Sequence, residues 1–113
     1  MFSGCPYILS LVHNDYWAIK QMTPESRVKA KLKKWLDFNS YYHFWPVQMG
    51  MGAATVDCLA CIADRFWAIE CKREGVRKPT PRQAAVMVRI RAAGGVTYLV
   101  TMKDGELEWI EIK

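Results

Sequence analysis

Residues 55 to 72 read TVDCLACIADRFWAIECK. Two β-prone runs, Thr55 to Ala63 and Phe66 to Lys72, flank Asp64-Arg65, and β-branched, aromatic and small apolar residues around a polar pair predict a hairpin. With Asp64-Arg65 as a two-residue turn, Ala63 stands opposite Phe66 and Asp57 stands opposite Lys72. Side chains alternate across a strand, so Glu70 projects from the same face as Lys72 and joins Asp57 there. The other face, with Cys58 opposite Cys71 and with Ala60, Ile62, Trp67 and Ile69, is apolar and needs a covering layer.

The elements on either side supply that layer. Upstream, Thr23-Pro24-Glu25 offers a capping hydroxyl, a proline at the first helical position and an acid at the positive end of the helix dipole. The spacing predicts a helix over 24–38, with Val28, Leu32, Trp35 and Leu36 as one apolar stripe. Tyr41 to Val47 is aromatic and β-prone, ended by Pro46, and Met49-Gly50-Met51-Gly52 is a connection. Downstream, Arg73 to Pro79 is a polar loop and Thr80-Pro81-Arg82-Gln83 is a capping box opening a helix to about residue 93. Gly94-Gly95 ends it, Val96 to Met102 is a strand, and Asp104-Gly105 turns into a last strand, Leu107 to Ile112. This order of elements predicts a mixed α/β (α+β) domain in which a central mixed sheet is flanked by helices. Residues 1–22 read equally as a short buried helix or a strand and form an N-terminal extension.

The chain has 113 residues and a net charge of +5. One domain of that length buries roughly two-thirds of its unfolded surface, which 51% hydrophobic residues can supply. No apolar run reaches the roughly 20 residues of a membrane span, and no secretory leader is legible, so a soluble cytoplasmic protein with free thiols is expected. The basic residues fall in two zones: Lys20, Arg27, Lys29, Lys31, Lys33 and Lys34 around the first helix, and Arg73, Arg77, Lys78 and Arg82 beyond the hairpin. Such zones suit a phosphate-rich partner, although a solvated helix face is the commoner reason for a run of lysines.

At 100° per residue, Glu25 lies within about 60° of Val28, Leu32 and Leu36 and so turns toward the sheet. A buried acid needs compensation, and a divalent cation shared with Asp57 and Glu70 would provide it. Oxygen ligands of this kind suit Mg²⁺ or Mn²⁺. The plainer reading of Asp57, Glu70 and Lys72 is a cross-strand salt bridge with a spare acid, and Gln83 is fully explained by its cap. Cys58-x-x-Cys61 is a weak redox or zinc signal, because strand residues three apart face opposite sides. His13 and His43 have no partner at ligand spacing.

Taken in order, Glu25, Val56-Asp57, Glu70-Cys71-Lys72 and Gln83 resemble the PD-(D/E)XK nuclease pattern, specifically the virus-type replication-repair nuclease (VRR-NUC) domain. The likeness covers roughly residues 23 to 101 and departs at Val56, where the name-giving proline would stand. It implies a restriction-endonuclease-like core and a catalytic set of Glu25, Asp57, Glu70, Lys72 and Gln83. It also implies a metal held by Asp57, Glu70 and the carbonyl of Cys71 with Glu25 assisting, and Lys72 steadying developing charge. The implied activity is Mg²⁺-dependent, structure-selective cleavage of branched DNA by a homodimer, as in phage-type Holliday junction resolvases, in a bacterial or phage-infected cell. Lys29, Lys33, Lys34, Arg73, Arg77, Lys78 and Arg82 are the expected DNA contacts. A monomeric nickase or flap endonuclease and a non-catalytic nucleic-acid-binding module are the rival readings. Glu111-Ile112-Lys113 repeats the Glu-x-Lys spacing, but the last hairpin sets Tyr98 opposite Glu111 and offers no acid, so this copy is an edge strand.

Overall fold

The structure is a computed structural model that describes residues 22–47 and 53–113. Expectations for the N-terminal extension, including Cys5, His13 and Lys20, and for the Met49 to Gly52 connection lie outside the described residues.

Helix α1 spans Pro24–Phe38, and Thr23 caps it by accepting the Ser26 N–H at 3.2 Å. Strand β1 is His43–Phe44, β2 is Cys58–Ile62 and β3 is Arg65–Cys71. Helix α2 is Pro81–Ala92, β4 is Val96–Lys103 and β5 is Glu106–Glu111. The strands form one five-stranded mixed sheet in the order β1-β2-β3-β4-β5, with β3 and β4 parallel and the other pairs antiparallel. The parallel pair exists because α2 carries the chain between the two strands. The capping box at Thr80 is complete, with reciprocal bonds to and from Gln83 of 2.9 and 3.3 Å.

Alternation along the strands sorts the core into two layers. Val28, Leu32 and Leu36 of α1 pack with Cys58, Ala60, Ile62, Ile69, Cys71 and Val100. On the other side, Met87 of α2 packs with Val56 and Ala68, joined by Leu59, Val86 and Ile90. An aromatic group lies on the α1 side, where Trp67 stacks on Tyr98 at 4.6 Å and Trp109 meets both edge-on, geometries that suit the ring quadrupoles.

Three expectations are corrected. The turn of the central hairpin is Ala63-Asp64, both in the left-handed region (φ 50° and 65°), so Ile62 rather than Ala63 is the last paired residue, opposite Arg65, and Cys58 faces Ile69 rather than Cys71. Two such residues make the turn whose twist matches the flanking strands, and Asp64 tolerates the conformation better than Arg65 would. Continuing that register by one residue sets Asp57 opposite Glu70 instead of Lys72. The slip is two residues, an even number, so no side chain changes face. The aromatic stretch Tyr41 to Val47 gives only a two-residue strand: Tyr41 and Trp45 pack against the core, while Tyr42 and Phe44 are exposed. The last hairpin turns at Asp104-Gly105 and pairs Tyr98 with Glu111, as read from the sequence.

Candidate active site

The acids meet where β2 begins and β3 ends, beneath the first turns of α1. Asp57 precedes β2 by one residue, and its Oδ2 accepts the Cys71 N–H at 3.0 Å. That bond ties the carboxylate to the end of β3. Glu70, the sixth residue of β3, is 1% exposed, and among the described residues its Oε2 has no hydrogen-bond partner. Burial pushes the Glu70 carboxyl up to about 9, helped by its hydrogen bond with Asp57 and by the negative charge of that neighbour, while the Lys72 ammonium opposes the shift. Glu25 adds a weaker push in the same direction.

Lys29 completes the group. One turn after Glu25 on α1, its Nζ is 3.5 Å from Glu25 Oε2 and 3.6 Å from Asp57 Oδ1. Partial burial alone would lower its ammonium, but the carboxylates of Asp57 and Glu25 outweigh that and raise it. Glu25 is thus brought to the cluster through Lys29, with its side chain 44% exposed.

Lys72 is held by its backbone, whose N–H donates to the Val100 carbonyl at 2.9 Å, and Arg73 is held by the Thr101 hydroxyl, which donates to its carbonyl at 2.8 Å. Both anchors come from β4, the parallel neighbour. Gln83 is engaged in its cap: Oε1 accepts the Thr80 N–H. The two cysteines do not act together, since Cys58 is buried, with its thiol pushed up to about 12 by that burial, and Cys61 is exposed on the other face of β2. Burial raises the Cys71 thiol further still. His43 Nε2 lies 2.7 Å from Asp37 Oδ1 and its Nδ1 accepts from the Trp45 indole, a bridge between α1 and β1.

Among the described residues, no group of three or more His, Cys, Asp or Glu side chains is close enough to enclose a metal ion. Mg²⁺, however, keeps several waters and takes one or two carboxylates together with substrate phosphate. Asp57 and Glu70, with a buried and unpartnered carboxylate oxygen between strands, fit that smaller requirement.

The basic residues divide. Lys29 is bound to the acids, Arg77 Nη1 is 2.5 Å from Glu108 Oε1, and the Lys33 ammonium sits 4.8 Å from the Trp45 ring centre. These partners set Lys29, Arg77 and Lys33 apart from the other expected DNA contacts. Lys34, Arg73, Lys78 and Arg82 are exposed. Among the described residues no helix is long and apolar enough to cross a membrane. Comparison with protein-family models, curated proteins and solved structures finds no match.

Proposed function

We propose that the protein is a metal-dependent DNA endonuclease of the PD-(D/E)XK type, close in plan to VRR-NUC domains and selective for branched DNA. The observation that carries this reading is the buried Glu70 carboxyl, with one oxygen unpartnered among the described residues, placed beside Asp57 and Lys72. A structural salt bridge would have no reason to leave that oxygen unsatisfied at such cost.

A divalent cation at this point supplies positive charge to the scissile phosphate and makes a water more acidic. Asp57 and Glu70 would hold it, with the Cys71 carbonyl contributing as the resemblance implies. The Cys71 N–H keeps Asp57 pointed at the site. Lys72, fixed through its backbone to β4, directs an ammonium at the negative charge that grows on the phosphate oxygens. Lys72→Ala should keep the fold and lower turnover about 10²-fold, read as single-turnover cleavage at saturating DNA.

The exposed Arg73 and Lys78 lie in the loop after Lys72, Arg82 follows in the first turn of α2, and the three form the DNA-facing surface. Neutralising each should reduce the slope of log affinity against log salt by about 0.9 and weaken all duplexes alike, whereas Arg77, held by Glu108, should count for less. Filter binding across a salt series with non-cleavable substrate measures both.

The deciding experiment compares four-way junction, flap, single-stranded and linear substrates with Mg²⁺ and with chelator, alongside sedimentation of the protein. Paired, symmetric cuts in the junction by a two-fold dimer are expected, because one copy brings one site. Nicks or flap cuts by a monomer would move the assignment to the first rival. The pairing of Lys29 with the acids favours one other reading, a nucleic-acid-binding module whose acids are structural, and DNA binding without cleavage in any divalent cation would establish it.

A further inference from the structure

Lys29 stands where a cation would stand. Its Nζ lies between two carboxylates, 3.5 Å from Glu25 and 3.6 Å from Asp57, and Asp57 in turn neighbours the buried Glu70, whose Oε2 has no partner among the described residues. Those distances exceed the roughly 2.7–2.9 Å of strong charge-assisted bonds, so the ammonium neutralises the acids without being locked to either one. Its flexible stem is anchored one turn into α1, and the side chain is 33% exposed, which leaves it a path outward.

We infer that Lys29 is the resident counter-ion of the acid cluster and that a divalent cation must displace it from Asp57 to bind. The inference rests on the metal-site reading above and assigns to one residue the control of metal affinity. Lysine and metal compete for the same carboxylate oxygen, so each weakens the other by an equal factor. Once released, the ammonium remains beside the site and meets the phosphate, so DNA binding favours the metal-loaded arrangement. The role has a distinctive sign: removing Lys29 strengthens metal binding, whereas loss of a residue that merely positions Asp57 would weaken it.

The test is calorimetric titration of Mn²⁺ and Mg²⁺ into the full chain without DNA, for the unmodified protein, Lys29→Met and Lys33→Met. Methionine keeps the length of the stem, and Lys29→Gln serves as the second variant should Lys29→Met melt early. Lys29→Met should bind the metal about three- to tenfold more tightly, and Lys33→Met, whose charge rests over Trp45, should bind as the unmodified protein does. Unchanged or weaker affinity in both Lys29 variants, with metal bound by the unmodified protein, overturns the inference and leaves the metal site standing. No uptake by any of the proteins overturns both.

Discussion

Asp57→Asn and Glu70→Gln are each expected to lower Mg²⁺-dependent cleavage by about 10³-fold while leaving a folded protein. Both exchanges preserve volume, and in Asp57→Asn the new amide oxygen can still accept the Cys71 N–H. The two variants should part company in stability. In the metal-free protein the Glu70 carboxyl is raised from 4.5 to about 9, so the folded state holds a proton that the unfolded chain releases. This contribution is fully present below pH 4.5 and is lost as pH rises toward 9. The amide of Glu70→Gln has no proton to lose, so that variant should flatten the fall in stability across this window. Its melting temperature at neutral pH should rise, by about 1–3 kcal/mol in stability. Saturating Mg²⁺ should raise the melting temperature of the unmodified protein, more strongly at pH 8 than at pH 6, because binding expels the proton. It should leave Glu70→Gln nearly unmoved. Differential scanning fluorimetry over pH and Mg²⁺, run beside single-turnover cleavage, reads all of these. A Glu70→Gln protein that cleaves at the normal rate would remove Glu70 from the metal site.

Leu32→Ala is expected to cost about 3–5 kcal/mol, a large share of the roughly 5–15 kcal/mol that stabilises a typical domain. Leu32 is 0% exposed in the middle of the α1 stripe, in the cluster that contains Ile69, Cys71 and Val100. These residues belong to the two strands that carry and brace Glu70 and Lys72. The cavity therefore opens beneath the site itself, and metal affinity should fall together with the urea midpoint. Val88→Ala, at a side of α2 open to solvent, should change stability by less than about 0.5 kcal/mol. Urea unfolding at constant m-value separates the two outcomes.

Local signals in the sequence carry most of the architecture. Thr23-Pro24 and Thr80-Pro81 mark their helix starts because a cap is settled by a few adjacent residues, and both helices begin where those residues place them. The hairpin register is harder to read: Ala63 in a left-handed conformation has no compositional signature, whereas Asp104-Gly105 is a familiar pair for the same turn. The site survives the shift because alternation depends on parity, so Asp57 and Glu70 stay together when their partners move. Lys29 reads from the sequence as a DNA contact, and its pairing with the acids is the part that is not legible there. Its spacing of four from Glu25 is visible, as a common helix pair, but its second partner Asp57 lies in another element, and nothing local points there. Arg77 and Glu108 are likewise joined only by the sheet.

Every acid and lysine of the cluster lies within the first 72 residues, yet the clamps on Lys72 and Arg73 come from Val100 and Thr101. A growing polypeptide on the ribosome therefore exposes the acids and lysines of the proposed metal site well before it has the strand that spells them into a site. The stretch 73–113, which adds no candidate metal ligand, sets the moment at which the proposed activity can begin. A nascent chain halted short of β4 should carry these side chains without the strand that braces them, so on the proposed reading cleavage begins only when the sheet is complete.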